Sequence, residues 1–353
     1  MTSAGLLGFP NVGKTTLFNA LTGLEAFTAP HPYTTTQPKI GTAKVPDRVL
    51  GRLAALEKSR KVTHAGLDLV DLPAVRSGSL RGLGAGREPD LLLAVLRAHD
   101  SEAVPVGEHG TDPVGQADDL LVEVALSDFE MFERRNERLT KEAAADPHLR
   151  PVAEAVARAA ERLGEGIPLR QLTWSDIETR AFRDMAPLSL LPCVWVVNVA
   201  EDDGGSDKLV GQVREAVPTT DPVLAVSALI EEEVAGLEAS QRAEVYEGLG
   251  LGEGAPARVV RTVYEALGLV TFYTVNRRDA RAWTVPAGTG AREAAGRIRS
   301  DMERGFIRAE VAPIQEVIRL GGWAKARSDG AVRVEGRDYE VRNGDVMMVR
   351  FSV

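Results

Sequence analysis

The octapeptide Gly8-Phe9-Pro10-Asn11-Val12-Gly13-Lys14-Thr15 constrains this chain more than any other stretch. The run AGLL before it reads as a buried strand and TTLFNALTGL after it as an amphipathic helix, so a glycine-bounded loop joins a strand to a helix N-terminus. In that setting G-x-x-x-x-G-K-[ST] is a phosphate cradle. Backbone N–H groups of Asn11, Val12, Gly13, Lys14, Thr15 and Thr16 can converge on anionic oxygens at the positive end of the helix. Lys14 can reach the β and γ oxygens, and the Thr15 hydroxyl can ligate magnesium. The expected ligand is a nucleoside triphosphate with Mg2+.

Kinases, ATPases and switch GTPases all use such a loop, and the elements that follow it separate them. THAGLDLVDLP reads as a strand ending in Asp71, the place where these folds put the carboxylate that holds magnesium through water. Between loop and strand, APHPYTTTQPKIG has no helical or strand period and is long enough to fold over a nucleotide, with Thr35 as a further candidate magnesium ligand. PCVWVVNVAEDD is another buried strand, leading into Asn198-Val199-Ala200-Glu201 at the edge where doubly wound sheets bind ligands. Guanine readers carry N-K-x-D there, and their Asp accepts two N–H bonds from the base. Here Val199 stands for the Lys and Glu201 for the Asp, one methylene longer, so the preference for guanine should shrink and both ATP and GTP stay open.

At 353 residues the chain has room for one main domain and smaller partners. No apolar run is long enough to span a bilayer and no charged-then-apolar N-terminal signal is present, so a cytoplasmic protein with no membrane partner is expected. The single Cys193 excludes a disulfide framework or a Cys-rich zinc site. The net charge of -9 is unevenly spread: residues 272–353 carry 15 Lys+Arg against 11 Asp+Glu, which leaves the acidic excess in the first 271. A basic tail can meet nucleic acid phosphate, although a solvated mixed-charge surface accounts for it nearly as well. No element for reading DNA sequence is present.

The segment from Asp118 to Ala145 has apolar residues at Leu120, Val124, Phe129, Phe132 and Leu139, close to helical spacing. VAEAVARAAERL repeats the pattern at Val152, Val156, Ala159 and Leu163, and Asp146-Pro147 separates the two, which predicts an antiparallel hairpin of helices. Toward the C-terminus, LVTFYTV, RAWTV, VRVEGRDYEV and DVMMVRF read as strands, with a helix around AREAAGRIRSDMERGF, a mixed β-grasp pattern. Arg277, Arg278 and Arg281 lie near Tyr273 and Trp283 as a candidate RNA contact, with the two rings more in keeping with core positions.

GFPNVGKTTLFNALTG, PYTTTQPKIGTAKVPD, DLP and the C-terminal TFYTVNRRDARAWTVPAGTGAREAAGRIRSDMERGFIRAEV resemble the YchF family, the Obg-like ATPases, over nearly the whole chain. The resemblance implies an α/β fold: a P-loop NTPase G-domain with a mainly parallel sheet, an inserted helical coiled-coil hairpin and a C-terminal TGS-like β-grasp domain. The corresponding boundaries are 1–119 with 187–271 for the G-domain, 120–186 for the hairpin and 272–353 for the tail. It implies ATP preference or acceptance of both nucleotides, and association with the ribosome or its RNA through the arm and tail. In AVSALIEEEV, Ser227, Ala228 and Leu229 take the places of the element that closes over the base, through backbone groups.

The catalytic end departs from pattern. Asp71-Leu72-Pro73-Ala74-Val75 has Val75 where switch GTPases carry a water-orienting Gln and where the family carries a hydrophobic residue, so hydrolysis should be slow. Ala74 replaces the family's Gly, and its Cβ narrows the backbone angles open to the switch. His109 lies in the region of a loop His considered catalytic in the family, a few residues out of register, and reads more simply as a loop residue. Three readings follow: a slow Mg2+-dependent NTPase switch, a nucleotide sensor without turnover, and, weakest, a metabolic P-loop kinase.

Overall fold

The computed structural model describes residues 2–24, 39–76, 80, 89–100, 105, 109–200, 206–249 and 251–352. Its first half runs β1 (Ser3–Leu7), α1 (Lys14–Thr22), β2 (Lys39–Lys44), α2 (Arg48–Glu57), β3 (Lys61–Thr63), β4 (Gly66–Asp71), β5 (Leu91–Arg97), α3 (Pro113–Ala145), α4 (Arg150–Gly164) and α5 (Asp176–Arg183). There follow β6 (Cys193–Asn198), α6 (Ser206–Ala216), β7 (Val223–Val226), α7 (Ala228–Ala235), α8 (Ala239–Gly248) and α9 (Ala255–Ala266). The last part comprises β8 (Leu269–Val275), β9 (Asp279–Pro286), α10 (Ala291–Ile298), α11 (Ser300–Arg304), β10 (Phe306–Pro313), α12 (Ile314–Leu320), α13 (Trp323–Ser328), β11 (Arg333–Glu335) and β12 (Asp345–Phe351).

The chain divides into two compact units, Met1–Ala43 with Asp68–Ala266, and Lys44–Leu67 with Leu267–Val353. In the first, six strands take the order β2-β4-β1-β5-β6-β7, and β1, β4, β5, β6 and β7 pair in parallel. Strands covered on both faces must be apolar along their length rather than alternating, and LLLAVLR and CVWVVN are buried at every position. Leu93 lies between Leu6 and Val194 in this register. The same register sets Leu6 beside Asp71 and Arg97 beside Asn198, so the C-terminal ends of four strands converge.

The helical arm belongs to this first unit. α3 begins at Pro113, earlier than the hairpin boundary at residue 120, because Asp112 caps it by accepting the Val114 N–H and Pro113 suits the first helical position. The Asp146-Pro147 break falls between α3 and α4 as the sequence indicates. Phe132, Leu139, Val156, Ala159 and Leu163 pack with Phe182 of α5 into one apolar core, each large side chain contributing about 1.5–3 kcal/mol of transfer free energy. Asp221 ties the base of this region to the sheet: the Arg170 guanidinium donates to it at 2.6 Å and the Trp195 indole N–H at 3.1 Å.

The second unit differs from the boundary at residue 272. Residues 44–67 join it: β3 pairs in parallel with β9 through Lys61 opposite Asp279, and Leu50 and Leu53 of α2 pack with Tyr273, Val275, Val317 and Trp323. The strand order is β11-β10-β12-β8-β9-β3. A β8–β9 hairpin, the helix α10, and a final strand β12 parallel to the first strand β8 constitute the β-grasp arrangement. Two local readings need correction. The helix around residues 291–306 is two, α10 and α11, broken at the extended Arg299, and its last residue Phe306 opens the strand β10, antiparallel to β12. VRVEGRDYEV supplies only the short edge strand β11, because a turn at 337–338 ends it and Glu340 makes only an isolated bridge to Gly290. Tyr273 is core, and Trp283 is partly buried with the Arg281 guanidinium 4.0 Å from its ring centre.

Candidate nucleotide site

The loop after β1 has the backbone that a phosphate cradle requires. Asn11 and Gly13 adopt left-handed conformations, with φ of 65° and 94°. Gly13 precedes α1 with no side chain capping the helix, which leaves the helix N-terminus without a side-chain cap. A Cβ at Gly13 would fall 2.3 Å from Asn198 Nδ2, which makes glycine obligatory there. Lys14 folds back over the loop, its Nζ donating to the carbonyls of Gly8 at 2.9 Å and Phe9 at 3.0 Å. Burial pulls its pKa down to about 8, with the Asp71 charge opposing the shift. Thr16 is half-buried in the first turn of α1.

Asp71 ends β4, and the Thr15 hydroxyl donates to its Oδ2 at 2.9 Å. Desolvation pushes this carboxyl up, while the Thr15 bond and the charges of Lys14 and Lys39 pull it down. A hydroxyl and a carboxylate this close, both hard oxygen donors, fit a small divalent cation held partly through water. Thr15 and Asp71 are therefore the residues that would hold Mg2+, which when bound neutralises charge on the phosphates. Thr35 lies outside the described residues. Val75 is buried, and its N–H donates to the Gly8 carbonyl at 3.0 Å. Its aliphatic side chain has nothing with which to orient a water.

Asn198 joins the loop to the start of α7. Its Nδ2 donates to Val12 O at 3.0 Å and its Oδ1 accepts the Ala228 N–H at 3.0 Å. Ser227 caps α7, its hydroxyl accepting the Ile230 N–H, so that side chain is engaged locally. Leu229 is 52 % exposed on the first turn of α7. Glu201 lies outside the described residues.

His109 stacks on Phe9 of the loop, with ring centres 3.6 Å apart, and its Nδ1 is 2.8 Å from Asp119 Oδ2. Sequence reasoning passed over Arg97 and Gln116, which lie behind the loop. A signal was there: an arginine closing an otherwise wholly apolar strand is a buried cation in need of partners.

A strand-end carboxylate, a phosphate loop and a strand-end Asn clipped to that loop, on a parallel sheet, define a P-loop NTPase of the switch-GTPase class. A family model described as 50S ribosome-binding GTPase matches residues 3–121, and the YchF-GTPase_C model, described as a protein of unknown function, matches 269–352. The chain is 33% identical to the ribosome-binding ATPase YchF of Bacillus subtilis and 35% identical to that of Escherichia coli O157:H7, covering 99% of both chains in each case. A solved structure of the Schizosaccharomyces pombe YchF GTPase superposes with a TM-score of 0.82 at 24% identity, over 99% of this chain and 97% of that one. The chain belongs to the YchF family.

Proposed function

We propose that this chain is a Mg2+-dependent purine nucleoside triphosphatase of low intrinsic rate, ATP-preferring, that works as a nucleotide-dependent switch on the ribosome in the cytoplasm. The observation that carries the reading is the Thr15–Asp71 contact of 2.9 Å beside Lys14, which supports a shared magnesium and phosphate site where the loop meets the end of β4. Support for ATP and for the ribosome comes from the relatives, each named as a ribosome-binding ATPase. Asn11 to Thr16 would hold the phosphates, and Asn198, Glu201 and Ser227 to Leu229 would border the base. Thr35 would complete the magnesium shell. The basic tail and the α3–α4 arm are the surfaces for ribosomal RNA or protein.

Slow turnover follows from Val75, buried where a water-orienting side chain would be needed. The stacked and hydrogen-bonded setting of His109 suits a brace for the loop better than a group that handles the attacking water. Multiple-turnover phosphate release by wild type, above a Lys14→Ala control and with ribosomes present or absent, tests the enzyme reading. No release in either condition would leave the nucleotide sensor that Ala74 and Val75 favour. Calorimetric titration with ATP and GTP analogues decides the base, and tighter GTP binding would overturn the ATP assignment.

A further inference from the structure

Arg97 ends β5 and, as a residue, is 2 % exposed behind the phosphate loop. Its Nε donates to the His99 carbonyl at 2.9 Å, and its Nη1 reaches the carbonyls of Pro105 at 3.2 Å and Asn11 at 3.4 Å. Asn11 is the non-glycine loop residue held at φ 65°, and its own Nδ2 also donates to Pro105 O at 3.2 Å. One cation thus braces a left-handed peptide of the loop from behind. A guanidinium is suited to this: its planar fork of donors can serve carbonyls in different directions, which a lysine ammonium on a flexible stem cannot reproduce.

The backbone of the same residue faces the arm. Its N–H donates to Gln116 Oε1 at 2.8 Å, and Gln116 Nε2 donates to Arg97 O at 2.9 Å and Gly110 O at 3.2 Å. Gln116, in the first turn of α3, is 1 % exposed. A buried carboxamide with both ends engaged is a rigid joint, because releasing either end leaves a desolvated polar group.

We infer that Arg97 is a positioning residue that holds the Asn11 peptide in its phosphate-binding shape and, through Gln116, couples that shape to the start of α3. This deepens the nucleotide-binding reading of Gly8 to Thr15 and rests on it. When the loop closes on a triphosphate and the Asn11 carbonyl is fixed, the Arg97 main chain is fixed with it, and the first turns of the arm lose freedom to open. Glycine at position 110 and proline at 113 bound the segment that would carry the change.

The full-length chain is titrated with a fluorescent ATP analogue in Mg2+, and amide hydrogen exchange is followed over residues 109–120 with and without the analogue. Wild type gains protection there on binding. Arg97→Lys binds about tenfold more weakly while its nucleotide-free exchange over β5 and β6 stays that of wild type. Gln116→Met, close in shape, binds within about twofold of wild type but loses the nucleotide-linked protection at 109–120. That second variant keeps the test decisive if Arg97→Lys does not fold. Wild-type affinity in Arg97→Lys, or full nucleotide-linked protection in Gln116→Met, overturns the inference. A wild-type chain that binds neither ATP nor GTP analogues overturns the nucleotide reading instead, which separates the two failures.

Discussion

Asn198 donates through Nδ2 to the Val12 carbonyl at 3.0 Å, across 186 residues of sequence. Its Oδ1 takes the Ala228 N–H at 3.0 Å, so one buried side chain clips the phosphate loop to the start of α7. Truncating it would leave a carbonyl and an N–H without partners in the interior. Asn198→Ala is expected to cost about 2–4 kcal/mol of stability and to weaken nucleotide binding. The urea midpoint and a nucleotide titration check this; an unchanged midpoint would mean water replaces the amide.

Gly13 stands against the same amide. Alanine there meets Asn198 Nδ2 at 2.3 Å and must hold φ 94°, so the loop has to open. Gly13→Ala is expected to lose about 1–3 kcal/mol to backbone strain and to bind nucleotide far more weakly. Gly23, left-handed at the other end of α1 with open space around its Cβ position, is the control: alanine there carries the strain alone and should leave affinity close to wild type.

The pH dependence follows from Lys14, whose folded pKa of about 8 lies below its ordinary value of 10.5. Between those values the unfolded chain holds a proton that the fold has released, so this residue makes stability rise with pH across that window and contributes no slope below it. Nucleotide binding runs the other way, since a triphosphate favours the charged ammonium. Affinity is expected to fall as pH rises through about 8, with proton uptake on binding near that pH, read by calorimetry in buffers of different ionisation enthalpy. Lys14→Arg, charged throughout, should lose the pH effect.

His109→Ala removes the stack on Phe9 and the contact with Asp119. The expected cost is about 0.5–1.5 kcal/mol of stability. Phosphate release should stay within a few-fold of wild type, because the ring braces the loop. A fall of roughly a hundredfold or more with unchanged nucleotide affinity would instead place His109 in the chemistry.

The phosphate loop was legible because its code is local. Eight consecutive residues specify a turn, a close backbone approach and a helix start, and no distant partner is needed to read them. The arm was legible for a related reason: helical periodicity is written every three or four residues, and Asp146-Pro147 interrupts it in sequence as in space. β10 was not picked out beforehand, because FIRAEVAP follows a helical stretch directly and only pairing with β12 makes it a strand.

By itself, then, the sequence determined the phosphate loop, the strand-end Asp71, the hairpin of helices and the β-rich tail, each set by residues near one another in the chain. Tertiary structure alone decided that residues 44–67 join the tail, that Asn198 closes on Val12 and that Arg97 turns one face to the loop and the other to α3. Those outcomes depend on which buried donors find which acceptors across tens to hundreds of residues. A desolvated N–H, carbonyl or guanidinium must find a partner, but the choice of partner is made by the packing of the strands and helices around it.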